Sequence, residues 1–206
     1  MNKKMWIIIC VVIVIEIITF FIFKKPKPSI DYLSKGTSIV VLGDSLTAGV
    51  GATTGNEFPA VLSRLIGQPI INMGVSGNTS AQGLERVPYV LEQDPKVVIV
   101  LLGGNDYLRK VPIEETFKNI DTIVAQIQEY GATVILVGIK AGPLSDPYKK
   151  HFEDIVKKRD VVYIPNILNG IIFHDDLMSD AIHPNDAGYK KVADKIYPEL
   201  KKVLQN

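Results

Sequence analysis

Short apolar runs alternate with longer amphipathic stretches along most of this 206-residue chain, and this alternation limits the fold more than any other feature. The runs are nearly continuous in Val, Ile and Leu, which is typical of strands buried on both faces of a parallel sheet. They occupy residues 38–43, 69–73, 96–103, 132–139 and 161–165. Helical stretches lie near residues 57–66, 80–92, 113–130, 148–158 and 185–204. The sequence therefore predicts an α/β domain, a three-layer α/β/α sandwich around a parallel five-stranded sheet, with Pro198 kinking or dividing the last helix.

The N-terminus differs from the rest of the chain, because from Met5 to Phe23 only Glu16 and Thr19 are polar. As a helix rising about 1.5 Å per residue, this run spans roughly 28 Å, close to the hydrocarbon thickness of a bilayer. We therefore expect one N-terminal transmembrane helix. The expected organisation is a membrane anchor over 1–25, a linker over 26–37 and the α/β domain over 38–206.

A cleaved secretory signal and a lipoprotein anchor fit the apolar run less well. A cleaved signal needs small residues after the run, and no alanine occurs before Ala48. A lipoprotein anchor at Cys10 needs a small residue before the cysteine, where this chain has Ile9. Lysines flank the run on both sides, so the positive-inside rule barely sets its orientation. A short tail before an apolar run favours a bacterial signal anchor, with a single span of the cell membrane and the domain outside the cytoplasm.

The charge balance gives no sign of nucleic-acid binding. The chain has 23 basic and 22 acidic residues, of which four lysines and one glutamate lie in residues 1–25. The remainder therefore holds 19 basic and 21 acidic residues, a net charge of −2. Nucleic-acid-binding domains carry a basic surplus instead. A hydrophobic content of 47% and a charged content of 22% also exclude intrinsically disordered and low-complexity classes.

Among the three histidines, only His183 lies in a dense polar context, SDAIHPND at residues 179–186. Asp180 precedes His183 by three residues, so a tight turn can aim its carboxylate at the imidazole Nδ1 and leave Nε2 for a hydroxyl. Pro184 biases His183 away from the α region and helps to fix the ring direction. The segment predicts two members of a nucleophilic triad. The structural alternative is that Asp180 caps a turn and His183 simply precedes a helix.

Ser45 follows the first predicted strand and is the candidate nucleophile. Gly43 before it removes side-chain crowding, and a strand-to-helix turn would point the next backbone N–H groups towards solvent. A serine hydroxyl is a weak nucleophile until a base takes its proton, so this role requires His183 within hydrogen-bond reach. The alternative for Ser45 alone is a helix N-cap.

Four motifs, in order along the chain, resemble those of the SGNH hydrolases, or GDSL-type esterases and lipases. They are GDSL at 43–46, GVSGNTS at 74–80, GGND at 103–106 and DAIHP at 180–184. The runs NMGVSGNTSAQGLERVP and LLGGNDYLR resemble most the acyl-thioesterase/lysophospholipase branch. The resemblance implies a flavodoxin-like fold and a serine hydrolase that uses no metal or organic cofactor. The GxSxG elbow of the α/β-hydrolases is missing, which disfavours that fold.

The resemblance also implies roles for three residues of the GDSL and DAIHP motifs. Ser45 would be the nucleophile, His183 the general base and then acid, and Asp180 the carboxylate that orients it. Asp44 and Asp106 are interpreted as structural, holding the two loops by hydrogen bonds.

For the oxyanion hole, the resemblance implies three donors: the backbone N–H of Ser45, the backbone N–H of Gly77 and the side-chain amide of Asn105. Fixed donors stabilise the charge on the carbonyl oxygen better than water does. Gly74 is the fallback for Gly77, since both glycines share the loop. The alternative for Asn105 is a turn residue that bonds local backbone.

Three further classes of function compete with the hydrolase. A metal-dependent phosphodiesterase is suggested by side chains of ligand type at His174, Asp175, Asp176, Asp180 and His183. A flavodoxin-like nucleotide-binding module lacks support, because the first glycines fit neither GxGxxG nor GxxxxGK[ST]. The third is a membrane-tethered binding protein with an inactive site, although every residue that the chemistry needs is present.

The sequence thus predicts a membrane-anchored serine esterase or lipase that cleaves an acyl ester or thioester. Proximity to a bilayer favours lysophospholipid or another lipid ester, and O-acetyl groups on cell-surface glycans are the alternative substrate. Residues 140–147 are expected to border the cleft. The acyl chain length and the oligomeric state stay open.

Overall fold

The structure, a computed structural model, describes residues 36–142 and 145–205, all within the compact unit Asp31–Asn206. Its centre is one five-stranded sheet in the order β2-β1-β3-β4-β5 with every neighbouring pair parallel. The strands are β1 (Ser38–Gly43), β2 (Ile71–Gly74), β3 (Pro95–Leu101), β4 (Thr133–Val137) and β5 (Val162–Ile164). The predicted parallel five-stranded α/β fold is therefore confirmed.

Helices cover both faces of this sheet. Those in the described residues are α1 (Ser45–Ala48), α2 (Phe58–Ile66), α3 (Ser80–Glu85), α4 (Val87–Leu91), α5 (Gly104–Leu108), α6 (Ile113–Tyr130), α7 (Tyr148–Lys158) and α8 (Asp186–Gln205). Helices α2 and α8 pack on one face, and α4, α6 and α7 pack on the other. The result is a three-layer arrangement with two separate apolar clusters.

Alternation along the strands explains why both clusters exist. In β1, Ile39 and Val41 join the cluster with α2 and α8, whereas Val40 and Leu42 join the cluster with α4, α6 and α7. Successive strand side chains point to opposite faces, so a run without polar residues requires cover on both sides.

The sheet order is that of flavodoxin-like folds, in which ligands bind beyond the carboxyl ends of the strands where the order reverses. Here the reversal lies between β1 and β3. The parallel register sets Gly43 at the end of β1 beside Gly74 of β2 and Leu101 of β3. The loops after all three strands therefore open on one edge.

The structure divides the predicted helix over 80–92 into α3 and α4 at Arg86. Pro88 has no N–H to donate to the preceding turn, which explains the break. Two one-turn helices, α1 and α5, were not predicted, since four or five residues are too few to show a helical period.

Of the two predicted effects of Pro198, division of the helix is not seen, because α8 runs from Asp186 to Gln205 without a break. Ile196 and Leu200, on either side of the proline, are both buried in the cluster with α2. Packing of this apolar face holds the helix together although one backbone hydrogen bond is missing.

Within 36–142 and 145–205, no helix is both long enough and apolar enough to span a bilayer. The anchor predicted over 1–25 and most of the linker lie outside the described residues.

We predict that Pro198→Ala stabilises the protein. Pro198 is exposed inside a helix, so alanine restores a backbone hydrogen bond and removes no buried contact. An interior proline costs about 3 kcal/mol relative to alanine, and the greater freedom of the unfolded alanine chain returns up to about 1 kcal/mol. Urea denaturation should show a gain of about 2 kcal/mol in the free energy of unfolding. Lys191→Ala, exposed in the same helix, is the control, and an equal response of both variants would contradict the prediction.

Candidate active site

Ser45 is the first residue of α1, directly beyond the end of β1. Asp44 caps this helix, because its Oδ1 accepts a hydrogen bond from the Leu46 backbone N–H at 3.0 Å. Gly43 has no room for a side chain, since an added Cβ would lie 2.0 Å from Thr47 Oγ1. Ser45 is half-buried, and its backbone N–H occupies a helix position that has no partner within the helix.

The structure brings His183 and Asp180 to this serine. His183 Nε2 lies 3.0 Å from Ser45 Oγ, and His183 Nδ1 lies 2.7 Å from Asp180 Oδ2. The other oxygen of Asp180 accepts the backbone N–H groups of Ile182 and His183, each at 2.8 Å. A single antiparallel bridge between the two ends of the 178–184 turn closes it. The tight turn predicted from the spacing is present.

The state of Asp180 decides which nitrogen of His183 carries the proton. The hydrogen bond from His183, followed by those from the two backbone N–H groups, lowers the pKa of Asp180 from 3.8 to about 2. An ionised carboxylate only accepts hydrogen bonds, so the neutral imidazole carries its hydrogen on Nδ1. Nε2 is then an acceptor for the Ser45 hydroxyl, which is the arrangement that a general base requires.

Gly77, and not Gly74, offers a backbone N–H in the loop after β2. The Gly74 N–H already donates to Asn72 Oδ1 at 2.9 Å. Gly77 has φ +81°, and the Asn78 N–H donates to the Val75 carbonyl at 3.1 Å. These features define a type II turn, which needs a positive φ at this position. Among the described residues, no acceptor is found for the Gly77 N–H.

Asn105 connects this loop to the loop that carries Ser45. Its Nδ2 donates to the Asn78 carbonyl at 3.0 Å and to Asp44 Oδ2 at 3.3 Å. Asn105 lies on α5, whose start is set by Gly103 at φ +109°. The longer bond to Asp44 is the weaker of the two, so it is the one that a substrate oxygen can replace.

Asp44 has an unusual environment for a carboxyl group, since the residue is only 3% exposed. Burial raises the pKa of Asp44 to about 6, although the Leu46 N–H and the charge of His183 act in the opposite direction. The hydrogen bonds of Asp44 to the loops after β1 and β3 agree with the structural interpretation.

Asp106 is also structural in its contacts. It is fully buried, and its two oxygens accept the backbone N–H of Ser80 at 2.8 Å and the hydroxyl of Ser80 at 2.5 Å. Asn119 of α6 donates to the same hydroxyl at 3.1 Å. This network ties the loop after β3 to the start of α3.

Sequence reasoning missed two arginines at this edge of the sheet. Arg86 donates to the carbonyls of Met73 at 2.7 Å and Gly43 at 2.9 Å, so it holds the ends of β2 and β1 together. Arg109 donates to the Gly77 carbonyl at 2.8 Å. The spacing of Arg109 four residues after Asn105 places both on one side of a helix and was the available signal. For Arg86, no such signal exists in the sequence.

A cavity of about 570 Å³ opens beside Ser45 and His183. Most of its wall is apolar and includes Leu46, Tyr107, Leu108, Ile139, Ala141, Tyr148, Leu168, Ile172, Phe173 and Ile182. Residues 140–142 line it, as predicted for part of the 140–147 segment. Phe173, which also lines the cavity, is 79% exposed and has φ +69°, a backbone conformation that is unfavourable for a bulky side chain. Such volume and lining are typical of small-molecule sites.

The acidic and histidine side chains between residues 174 and 183 do not gather into a metal site. Within the described ranges, no three His, Cys, Asp or Glu side chains are arranged to hold a metal ion.

Comparisons with known proteins show the family of this chain. The sequence profile of the GDSL-like Lipase/Acylhydrolase family matches residues 41–191, well over half of the chain. The chain belongs to this family. It is a serine ester hydrolase of the SGNH type, as its motifs indicated.

This GDSL-like acylhydrolase has relatives of nearly its own length. It is 29% identical over 179 residues to Esterase TesA of Pseudomonas aeruginosa, covering 81% of this chain and 89% of that protein. It is 28% identical over 178 residues to Thioesterase 1/protease 1/lysophospholipase L1 of Escherichia coli, covering 82% and 86%. The crystal structure of TesA superposes with a TM-score of 0.76 at 28% identity, covering 81% of this chain and 99% of that one.

We predict that the raised pKa of Asp44 makes stability fall as the pH rises from 3.8 to about 6. In this window the native carboxyl still holds its proton whereas the unfolded one has released it, so unfolding releases a proton. Two pH units correspond to about 3 kcal/mol. Asp44→Asn removes this dependence. In urea denaturation, the free energy of unfolding of the variant should therefore increase relative to that of the parent between pH 4 and pH 7. A parent-to-variant difference that stays constant with pH would contradict the prediction.

Proposed function

We propose that this acylhydrolase cleaves acyl esters or thioesters through an acyl-enzyme on Ser45. His183 is the general base and then the general acid, and Asp180 orients it. The continuous chain of hydrogen bonds from Asp180 Oδ2 through the imidazole to Ser45 Oγ, at 2.7 and 3.0 Å, carries this proposal. A base must lie within about 2.6–3.2 Å of the proton that it removes.

In the first half-reaction, Ser45 Oγ attacks the carbonyl carbon while its proton moves to His183 Nε2. The carbonyl oxygen takes the electron pair and becomes an oxyanion. When the tetrahedral intermediate collapses, the bond to the leaving alcohol or thiol breaks and Nε2 returns the proton to it. The ionised Asp180 stabilises the imidazolium that exists between these two transfers.

In the second half-reaction, water attacks the acyl-Ser45 ester and gives one proton to His183 Nε2. Collapse of the second intermediate breaks the bond to Oγ, which takes the proton back, and releases the carboxylic acid. The enzyme returns to its starting state, and one water molecule is consumed for each bond that is cleaved.

The oxyanion would be held by the N–H groups of Ser45 and Gly77 and by the amide of Asn105. Support comes from the absence of described acceptors for the Gly77 N–H and from the weak bond of Asn105 to Asp44. Removing one such donor typically costs a factor of about 10² to 10³ in kcat.

The cavity favours a substrate with an acyl chain. An acetyl group has one carbon beyond the carbonyl and would leave nearly all of the 570 Å³ empty. A longer acyl chain would bury apolar surface against the cavity wall, and each buried methylene would contribute about 0.8 kcal/mol to binding. We therefore propose a lysophospholipase-like or thioesterase-like activity. The names of the P. aeruginosa and E. coli relatives agree with this class.

We also propose that Met5–Phe23 anchors the protein in the cell membrane, with the hydrolase domain outside the cytoplasm. The length and composition of this run support the anchor, and the orientation is that of the bacterial signal anchors that the run resembles.

We predict that full-length protein in detergent hydrolyses p-nitrophenyl octanoate with a kcat/KM at least about tenfold above that for p-nitrophenyl acetate, because the longer chain fills the cavity. Ser45→Ala should reduce both activities by about 10⁴-fold or more, because the nucleophile is lost.

Ser63→Ala is the control for the serine substitution, since Ser63 lies on α2, donates its hydroxyl to the Gln68 carbonyl and does not line the cavity beside Ser45. Full activity of Ser45→Ala would refute the mechanism. A sharp preference for acetate would refute the acyl-chain proposal and favour O-acetyl groups as substrates.

We predict that a protease added to intact cells degrades the domain, because the proposed orientation exposes it on the outer side. Immunoblotting with an antibody against the domain measures the loss, and a cytoplasmic protein that survives is the control. Survival of the domain until the cells are permeabilised would contradict this orientation.

A further inference from the structure

Asn105 and Arg109, four residues apart around α5, bind consecutive carbonyl groups of the glycine loop. Asn105 Nδ2 donates to the Asn78 carbonyl at 3.0 Å, and Arg109 Nη2 donates to the Gly77 carbonyl at 2.8 Å. Two side chains one helical turn apart thus hydrogen-bond to two successive peptide groups of the loop that carries the Gly77 N–H.

This loop needs such a restraint because its conformation depends on glycine. In a type II turn, the N–H of the third residue points in one direction, and a flip of the central peptide group to type I turns it the opposite way. Gly77 populates positive and negative φ almost equally when nothing holds it. The proposed oxyanion donor therefore exists only while φ of Gly77 stays near its observed +81°.

Arg109 acts on the peptide group on the C-terminal side of Gly77. This peptide is held at both ends, by Arg109 on its oxygen and by the Val75 carbonyl on the Asn78 N–H at 3.1 Å. With this side of Gly77 anchored, movements of the whole loop are restricted, and the Gly77 N–H can turn away only if the peptide between Ser76 and Gly77 rotates between two fixed neighbours.

No ion pair explains the placement of Arg109. Its side chain is exposed, and in the described part of the chain no carboxylate lies within salt-bridge distance of it. Its bond to the Gly77 carbonyl therefore does not follow from a charge partner nearby.

We propose that Arg109 is a positioning residue for the oxyanion hole, which acts by holding Gly77 in the type II turn. This inference rests on the proposed function, since it assigns Arg109 a part in stabilising the acyl-transfer intermediates. Arg109 touches neither the serine nor the histidine, so the pKa values that govern the pH profile belong to other groups.

The chain offers a matched control in Arg64 of α2. Its Nη1 donates to the carbonyl of Gly55 at 2.5 Å, and Gly55 also has a positive φ of +86°. Neither residue lines the cavity beside Ser45. Arg64→Ala thus removes the same type of contact from a loop without a proposed catalytic group.

The test compares full-length parent protein, Arg109→Ala, Arg109→Lys and Arg64→Ala in detergent micelles. A fluorophosphonate probe, allowed to react to completion, counts the functional serines in each preparation, and kcat is expressed for each labelled serine. We expect Arg109→Ala to lower kcat about tenfold, less than outright loss of a donor, with KM and the midpoint of the pH profile unchanged. Arg109→Lys keeps a donor and should recover most of the loss, while Arg64→Ala should match the parent.

Hydrogen exchange followed by mass spectrometry provides a second measurement that needs no turnover. Peptides covering residues 74–79 should take up deuterium faster in Arg109→Ala than in the parent, and Arg64→Ala should not change them. A merely structural role would reduce the number of labelled serines and leave kcat for each labelled serine unchanged.

The proposal is overturned if Arg109→Ala keeps the parental kcat for each labelled serine, or if exchange over 74–79 does not change. It is also overturned if the variant only raises KM for substrates with an anionic group, because Arg109 would then be a substrate contact. Failure of the proposed function looks different: the parent itself would neither turn over esters nor label at Ser45.

Discussion

The parallel pairing of β1 with β2 and β3 is the constraint on which the rest of the site depends. Because Gly43 lies in register with Gly74 and Leu101, three loops leave the sheet at the same level. Those loops carry Ser45, the glycine turn and Asn105. Arg86 strengthens the arrangement by binding the Met73 carbonyl near the end of β2 and the Gly43 carbonyl at the end of β1. A shift of one residue in this register would turn every strand side chain to the other face, so the core and the site are specified together.

Two aspartates lie near the histidine, and their surroundings shift their pKa values in opposite directions. Asp180 is about half exposed and accepts three hydrogen bonds, so its pKa falls to about 2. Asp44 is buried, and the loss of solvation raises its pKa to about 6. When their environments give two carboxyl groups different pKa values, the two groups can have different roles. Asp180 is the permanent charge that faces the imidazole, whereas Asp44 serves chiefly as a hydrogen-bond acceptor for the loops.

The five strands and the residues that converge at the site could be predicted from the sequence. The contacts that hold those residues in place could not. Continuous apolar runs predicted all five strands because only strands covered on both faces lack polar positions. The Asp180 to His183 spacing predicted their turn. The one-turn helices depend on backbone bonds that leave no periodic trace, whereas the break at Arg86 follows from Pro88, a signal that was present in the sequence. The resemblance already favoured Gly77 over Gly74 as the oxyanion donor, but the physical reason, that the Asn72 side chain occupies the Gly74 N–H, came from the structure. The roles of Arg86 and Arg109 required the loops to be placed first.

Helix α8 contributes far more than the closing of a core. The hydroxyl of Tyr189 reaches the Val50 carbonyl at 2.8 Å, and Asp186 binds both the N–H and the hydroxyl of Thr53 at 2.7 Å. The segment that bears the imidazole of His183 thus docks onto the loop that follows Ser45. During synthesis on the ribosome, Ser45 emerges well over a hundred residues before His183. Under the proposed mechanism, a nascent chain therefore carries an inert alcohol, and Ser45 becomes reactive only when the last part of the domain folds into place.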